Sequence, residues 1–201
     1  MKEEDAWHNC HPDDAWIFDK LVLSRKLGYI CGPADVAVPE SNYYVVRPCV
    51  NLAGMSIGAE IQYLEIDTWI DQPGYFWCEM FKGRHLSADY EIDSVSRSIQ
   101  QGLTVEGFRD LDQPLWKFLR WVRVNDEIKI NFILKQLKGS YKAINCEFIG
   151  GKLIEMHLRA NEDMGNYNEV IPVWKGESTT PPDGFVYIED EDFNRIGFFK
   201  R

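Results

Sequence analysis

Residues 143–159 read AINCEFIGGKLIEMHLR, and the pairing of this segment decides how the chain is understood. Two runs with apolar residues at alternate positions flank Gly150-Gly151, which marks a β-hairpin. A two-residue connection would set Ile149 against Lys152 and Glu147 against Ile154, leaving the two glutamates on opposite faces. A three-residue connection sets Ile149 against Leu153 and Glu147 against Glu155. One face then carries Asn145, Glu147, Glu155, His157 and Arg159. The other carries Ile144, Cys146, Phe148, Ile154, Met156 and Leu158. A slip of one residue exchanges the faces, so this separation predicts the three-residue connection, with glycine at its positive-φ position.

Two carboxylates directly opposed on a sheet repel each other. A divalent cation would offset that repulsion, and Mg²⁺ takes oxygen ligands, commonly one or two carboxylates plus phosphates. The hairpin alone therefore nominates Glu147 and Glu155 as metal ligands, with His157 and Asn145 beside them. The alternative is a solvated face with ordinary surface charges.

Outward from the hairpin, the pattern predicts an α+β chain of mostly antiparallel sheet. A helix is expected over 13–27, stopped by Gly28. Strands are expected at 43–47, 60–67, 75–81, 85–90, 115–124, 143–149 and 153–159. Residues 127–137 have helical spacing in Ile130, Ile133, Leu134 and Leu137. Residues 93–112 carry no clear period, and the acidic stretch Glu189 to Asp192 reads as a solvated turn.

The 201 residues are 45% apolar and 13% aromatic, which suits one packed domain and argues against disorder. The net charge of −10 disfavours a nucleic-acid partner, whose phosphates call for a basic surface. No apolar run approaches the roughly 20 residues of a membrane span. Five cysteines without a CxxC, and no apolar leader, fit reduced thiols and a cytoplasmic protein. His8-Asn-Cys-His11 offers three ligands but no second knuckle, so zinc is set aside.

The hairpin resembles the last strands of ATP-grasp enzymes, where an acid on one strand and acid-x-Asn on the next hold Mg²⁺ against ATP. The resemblance implies metal roles for Glu147 and Glu155. The asparagine position holds His157, a third candidate ligand or a phosphate contact. Imidazole suits Mg²⁺ poorly. Arg159 stands where related ligases place an arginine near the acyl phosphate or carboxylate substrate.

Upstream segments follow in the same order. FDKLV at 18–22 resembles the family's "DK" helix and implies Lys20 as a phosphate-contacting, catalytic cation. YVVRP at 44–48 resembles the strand that normally carries Lys-Pro, with Arg47 in place of the lysine. The glycine-bearing loop after it resembles the phosphate flap, implying contacts from Gly54, Ser56 and Gly58. FWCEMFKG at 76–83 resembles the adenine hinge, implying Glu79 and the backbone of Met80 and Lys82.

The resemblance covers roughly 16–160. It implies a single ATP-grasp-like domain over 1–201 with two small lobes: about 13–81 with the flap, and 82–201 with the metal hairpin. ATP and Mg²⁺ are the implied cofactors. The implied activity is a ligase that joins a carboxylate, free or in a peptide, to an amine through an acyl phosphate. The other reading is a non-catalytic nucleotide-binding or interaction module, with a protein partner supplying the acceptor site. It is favoured by the altered His157 and by the absence of the family's usual N-terminal α/β domain. Neither kinase HRD and DFG motifs nor a P-loop is present.

Overall fold

The computed structural model describes residues 2–53, 55–93, 95–110 and 112–201. Helix α1 spans Glu3–His8, a 3-10 helix follows at Pro12–Phe18, and α2 spans Lys20–Lys26. The single helix expected over 13–27 is thus two pieces. Asp19 separates them with extended backbone, and its side chain accepts from the amides of Leu21 and Val22 at 3.0 Å each. A side-chain cap satisfies the free donors of a new helix, so the chain can stop and restart cheaply there. Gly28, at φ +75°, ends α2 as expected.

Strands β1 (Cys31–Pro33), β2 (Asn42–Pro48), β3 (Glu60–Leu64) and β4 (Tyr75–Glu79) form an antiparallel sheet in the order β1-β4-β2-β3. The second sheet holds β5 (His85–Ile92), β6 (Ile99–Arg109), β7 (Phe118–Val124), β8 (Ala143–Ile149), β9 (Lys152–His157), β10 (Glu169–Trp174), β11 (Val186–Asp192) and β12 (Arg195–Lys200). Its order is β11-β12-β10-β7-β6-β5-β8-β9, so β9 is an edge strand.

The ambiguous 93–112 region supplies β6. The predicted 127–137 helix shrinks to α3 (Asn131–Leu134). Ile130, Ile133, Leu134 and Leu137 are nonetheless all buried in the main core, so their spacing records packing rather than a continuous helix. The acidic run at 189–192 belongs to β11, and its Asp190 lies 3.3 Å from Arg195.

The hairpin corrects one expectation and keeps the pairing that mattered. Gly150 and Gly151 have φ of +56° and +77°, the signs of a two-residue type I′ turn. Phe148 opposes Leu153 and Ile149 opposes Lys152, so the connection is two residues, not three. A bulge then restores the register: Glu147 opposes Glu155, and Ile154 has no cross-strand partner. Leu153 rather than Ile154 takes the core position, and Ile154 is half-buried. The turn follows the twist that two glycines favour, and the extra residue absorbs the difference.

The resulting faces differ sharply. Leu86, Ala88, Ile144, Cys146, Phe148 and Met156 pack against Ala6, Ile17, Phe18 and Leu23 of the N-terminal helices. His85, Ser87 and Asp89 of β5 alternate with those apolar residues, and their partners across the ladder include Glu147 and Asn145. Burial of one face holds this register, because a slip would drive those polar groups into the core.

Candidate functional site

The bulged hairpin puts Glu155 against two cations. Lys20 Nζ, at the start of α2, is 2.8 Å from Glu155 Oε1, and Arg47 Nη1, from β2, is 3.8 Å from Oε2. Arg47 Nη2 also donates to the carbonyl of Ile154 at 2.8 Å, so the unpaired bulge residue serves the adjoining sheet. Phe76 lies under the guanidinium, 5.4 Å from ring centroid to Cζ. Arg47 Nε is buried with no hydrogen-bond partner among the described residues.

Glu147 is bracketed by imidazoles. Arg109 Nη2, a donor only, is 2.7 Å from His85 Nδ1. That nitrogen must accept, so His85 Nε2 carries the proton and donates to Glu147 Oε2 at 3.0 Å. His157 Nε2 is 3.8 Å from Glu147 and from Glu155, and His157 Nδ1 is 2.9 Å from Glu3 Oε1. The angle of that last contact falls short of a hydrogen bond, but the charges are close. Arg159 Nε donates to the other Glu3 oxygen at 2.8 Å.

These contacts set the charges. Burial alone would lower the His157 pKa, but Glu3, Glu147 and Glu155 outweigh it and raise it to about 10. Burial likewise opposes ionised Glu147, yet His157 and His85 hold its carboxyl well below the usual range. Glu3 is lowered in the same way, with His157 and Arg159 outweighing burial.

A magnesium ion fits this arrangement poorly. An imidazolium cannot ligate; Lys20 and His85 already contact the two carboxylates at 2.8 and 3.0 Å, and Arg47 and His157 stand 3.8 Å from them. Among the described residues, no group of three His, Cys, Asp or Glu side chains is placed to hold a metal ion. The grouping of Glu147, Glu155 and His157 is therefore reached in space but closed by protein cations.

A cavity of about 520 Å³ opens over this face. Glu147, Glu155, His157 and Arg159 line it, together with Ala53, Met55 and Ser56. Trp116, Trp121, Trp174 and Phe198 also line it. Arg195, another lining residue, lies 3.4 Å from Asp163 and 3.3 Å from Asp190.

Solved structures share this arrangement of sheets. An Archaeoglobus fulgidus protein described as of the ATP-grasp superfamily superimposes with a TM-score of 0.55 at 13% identity, over 94% of this chain and 65% of its own. The chain has the ATP-grasp fold. N5-carboxyaminoimidazole synthetase from Staphylococcus aureus, complexed with ADP, gives 0.61 at 11% identity, over 92% of this chain and 67% of its own. L-amino acid ligase from Bacillus licheniformis gives 0.54 at 10% identity, over 97% and 67%. The chain thus spans about two thirds of the length of each. No protein-family model and no curated protein matches it by sequence.

The other residues implied by the ATP-grasp resemblance are spread along the molecule. In the flap, Gly54 lies outside the described residues. Ser56, at φ +52°, lines the cavity, while Gly58, at φ +79°, packs against Pro48 and Tyr75. At the hinge, Glu79 Oε1 accepts from the Ile30 amide at 2.9 Å, an internal tie. Met80 is half-buried and Lys82 is exposed, and neither lines the cavity. The hairpin turn lies over the hinge, because a Cβ added at Gly150 would sit 2.1 Å from the Lys82 carbonyl oxygen. Lys20 and Arg47 do not line the cavity; both are buried beside Glu155. Asp89 does not pair with Arg84; it accepts from Asn145 and the Asn161 amide, while Arg84 binds Glu106 and Asp126.

Sequence reasoning missed His85, Arg109 and Glu3. His85 was findable, since it alternates with Ser87 and Asp89 on the strand that pairs β8. Glu3 carried no signal, because it meets Arg159 across 156 positions of sequence. Among the described residues, no helix is long and apolar enough to cross a membrane.

Proposed function

We propose that this chain binds ATP beneath the 51–58 loop and uses it to activate a carboxylate for attack by an amine. The observation that carries the reading is the single cavity joining Ser56 of that loop to Glu147, Glu155, His157 and Arg159. The γ-phosphoryl group would pass to a carboxylate oxygen, releasing ADP. The amine would then attack the acyl carbon and release phosphate. Such transfer relies on positioning and charge neutralisation, which Lys20 and Arg47 would supply. The unpartnered Nε of Arg47 supports this role, since a buried donor without an acceptor is costly unless a ligand satisfies it. The ADP complex and the ligase among the structural neighbours support the reaction class. The test is ADP release that requires both an added carboxylate and an added amine. Tight ATP binding with no turnover across a broad screen would rule out the ligase.

A second reading is favoured by one observation. Lys20 already neutralises Glu155 at 2.8 Å, and His157 sits between both glutamates. A site so balanced suits a module that binds nucleotide without catalysis, or one that borrows an acceptor site from a protein partner. Calorimetry separates the cases: heat from ATP without turnover supports the module, and no heat removes the nucleotide.

A further inference from the structure

Cys31 and Cys78 are partners across the first sheet. They sit directly opposite each other on β1 and β4, with Gly32 opposite Trp77 beside them. The flanking hydrogen bonds fix the kind of pair. The Glu79 amide donates to the Ile30 carbonyl at 2.9 Å, and the Ala34 amide donates to the Tyr75 carbonyl at 3.0 Å. Hydrogen-bonded and non-hydrogen-bonded pairs alternate along an antiparallel ladder, so counting from either bond makes Cys31 and Cys78 a non-hydrogen-bonded pair. Such pairs hold their Cα atoms about 4.5 Å apart with both side chains on one face, inside the roughly 4.4–6.8 Å that a disulfide spans. Both residues belong to one apolar cluster, with Leu21, Phe76, Tyr29 and Phe81 around them. Both are free thiols.

We propose that Cys31 and Cys78 form a reversible disulfide site, oxidised by a low-molecular-weight disulfide, that fastens β1 to the link between the two sheets. Cys31 is half-buried and Cys78 is buried, so a small disulfide reaches Cys31 first. The Cys31 thiolate attacks one sulfur of the reagent and expels the other as a thiolate, which takes up a proton. Cys78 gives its proton to water and attacks the Cys31 sulfur, expelling the second thiol. The chain loses two electrons and two protons, and the reagent becomes two thiols. Burial raises both thiol pKa values, that of Cys78 to about 12, so exchange is slow and the reduced pair persists until an oxidant is sustained. The crosslink acts on the connection that follows it. Glu79 comes directly after Cys78 and already binds Ile30 through backbone and side chain alike. Residues 79–82, which lead to β5, are thereby pinned beside Tyr29, whose ring meets Phe81 at 4.7 Å. Cys49 shares the cluster but not the pairing. Val45 is the β2 residue opposite Cys78, and Cys49 lies about 13 Å further along that strand's line.

The experiment uses the full chain, first reduced and then held for hours with glutathione disulfide, without nucleotide. The remaining thiols are alkylated and the peptides mapped by mass. The expected product is a peptide pair linked through Cys31 and Cys78, with Cys10, Cys49 and Cys146 alkylated, and it should revert in dithiothreitol. Oxidation should slow amide exchange at 79–82 by about tenfold and leave β10, β11 and β12 unchanged. Cys49→Ser should keep the link. Cys31→Ser, a change at the half-buried member of the pair, should abolish it. A link through Cys49, glutathione left on Cys31 without closure, or no reaction would overturn the site. A link that forms without slowing exchange at 79–82 would overturn its hold on the connection.

Discussion

Lys20 Nζ lies 2.8 Å from Glu155 Oε1, and both side chains are withdrawn from solvent. The contact ties the first residue of α2 to the edge strand β9. Breaking a buried pair from one side strands the other charge, at a cost of about 3–5 kcal/mol, whereas replacing both partners with apolar groups is far milder. Lys20→Met should therefore lose about 3 kcal/mol in urea denaturation. Lys20→Met/Glu155→Leu should recover much of that loss. A double variant as unstable as the single one would show that Glu155 is held by Arg47 instead.

Stability should peak on the acid side of neutrality. His157 titrates at about 10 in the fold against 6.5 when unperturbed, so its contribution is complete below pH 6.5 and fades as pH rises towards 10. Glu3 and Glu147 are lowered from 4.5, so their contributions hold above that value and fade below it. Melting temperature against pH should crest between 4.5 and 6.5. The alkaline decline should flatten in His157→Asn; an unchanged decline in that variant would refute the charged His157.

Nucleotide binding should be largely indifferent to magnesium. Because protein donors already face Glu147 and Glu155, ATP affinity in EDTA should stay within about threefold of that in magnesium, under about 1 kcal/mol. His157→Asn removes the imidazolium and offers an amide oxygen, so it should make binding magnesium-dependent. Loss of ATP binding on adding EDTA to the parent chain would refute the self-neutralised site.

The two turn glycines should tolerate substitution unequally. Gly151 has φ +77° and open space around it, so Gly151→Ala should cost about 1–2 kcal/mol of left-handed strain alone. Gly150 has φ +56° and no room beside the Lys82 carbonyl, so Gly150→Ala should cost clearly more and shift the hinge. Comparable denaturation midpoints for the two variants would mean that the turn does not press on the hinge.

Local chemistry already specified much of this architecture. Alternation in 143–159 encoded the hairpin and the opposition of Glu147 to Glu155, because burying one sheet face penalises any other register. Helical spacing around Ile130, Ile133, Leu134 and Leu137 named core residues, although only four residues coil. The break at Asp19 was also written in the chain, as a capping residue inside an apolar pattern, and was overridden by the periodicity on either side.

Which charges meet on and behind this face was decided by folding. Glu3 reaches His157 and Arg159 from the far end of the chain, Arg47 crosses from the neighbouring sheet, and Lys20 arrives on a helix. Pairing at such separations leaves no period to read, since it depends on how sheets and helices stack rather than on neighbouring residues. The pattern could nominate Glu147, Glu155 and His157 as one group; only their surroundings in three dimensions turned a presumed metal cradle into a network of internal ion pairs. Electrostatics at close range depends on every buried charge within a few ångströms, and that set exists only after the chain has folded.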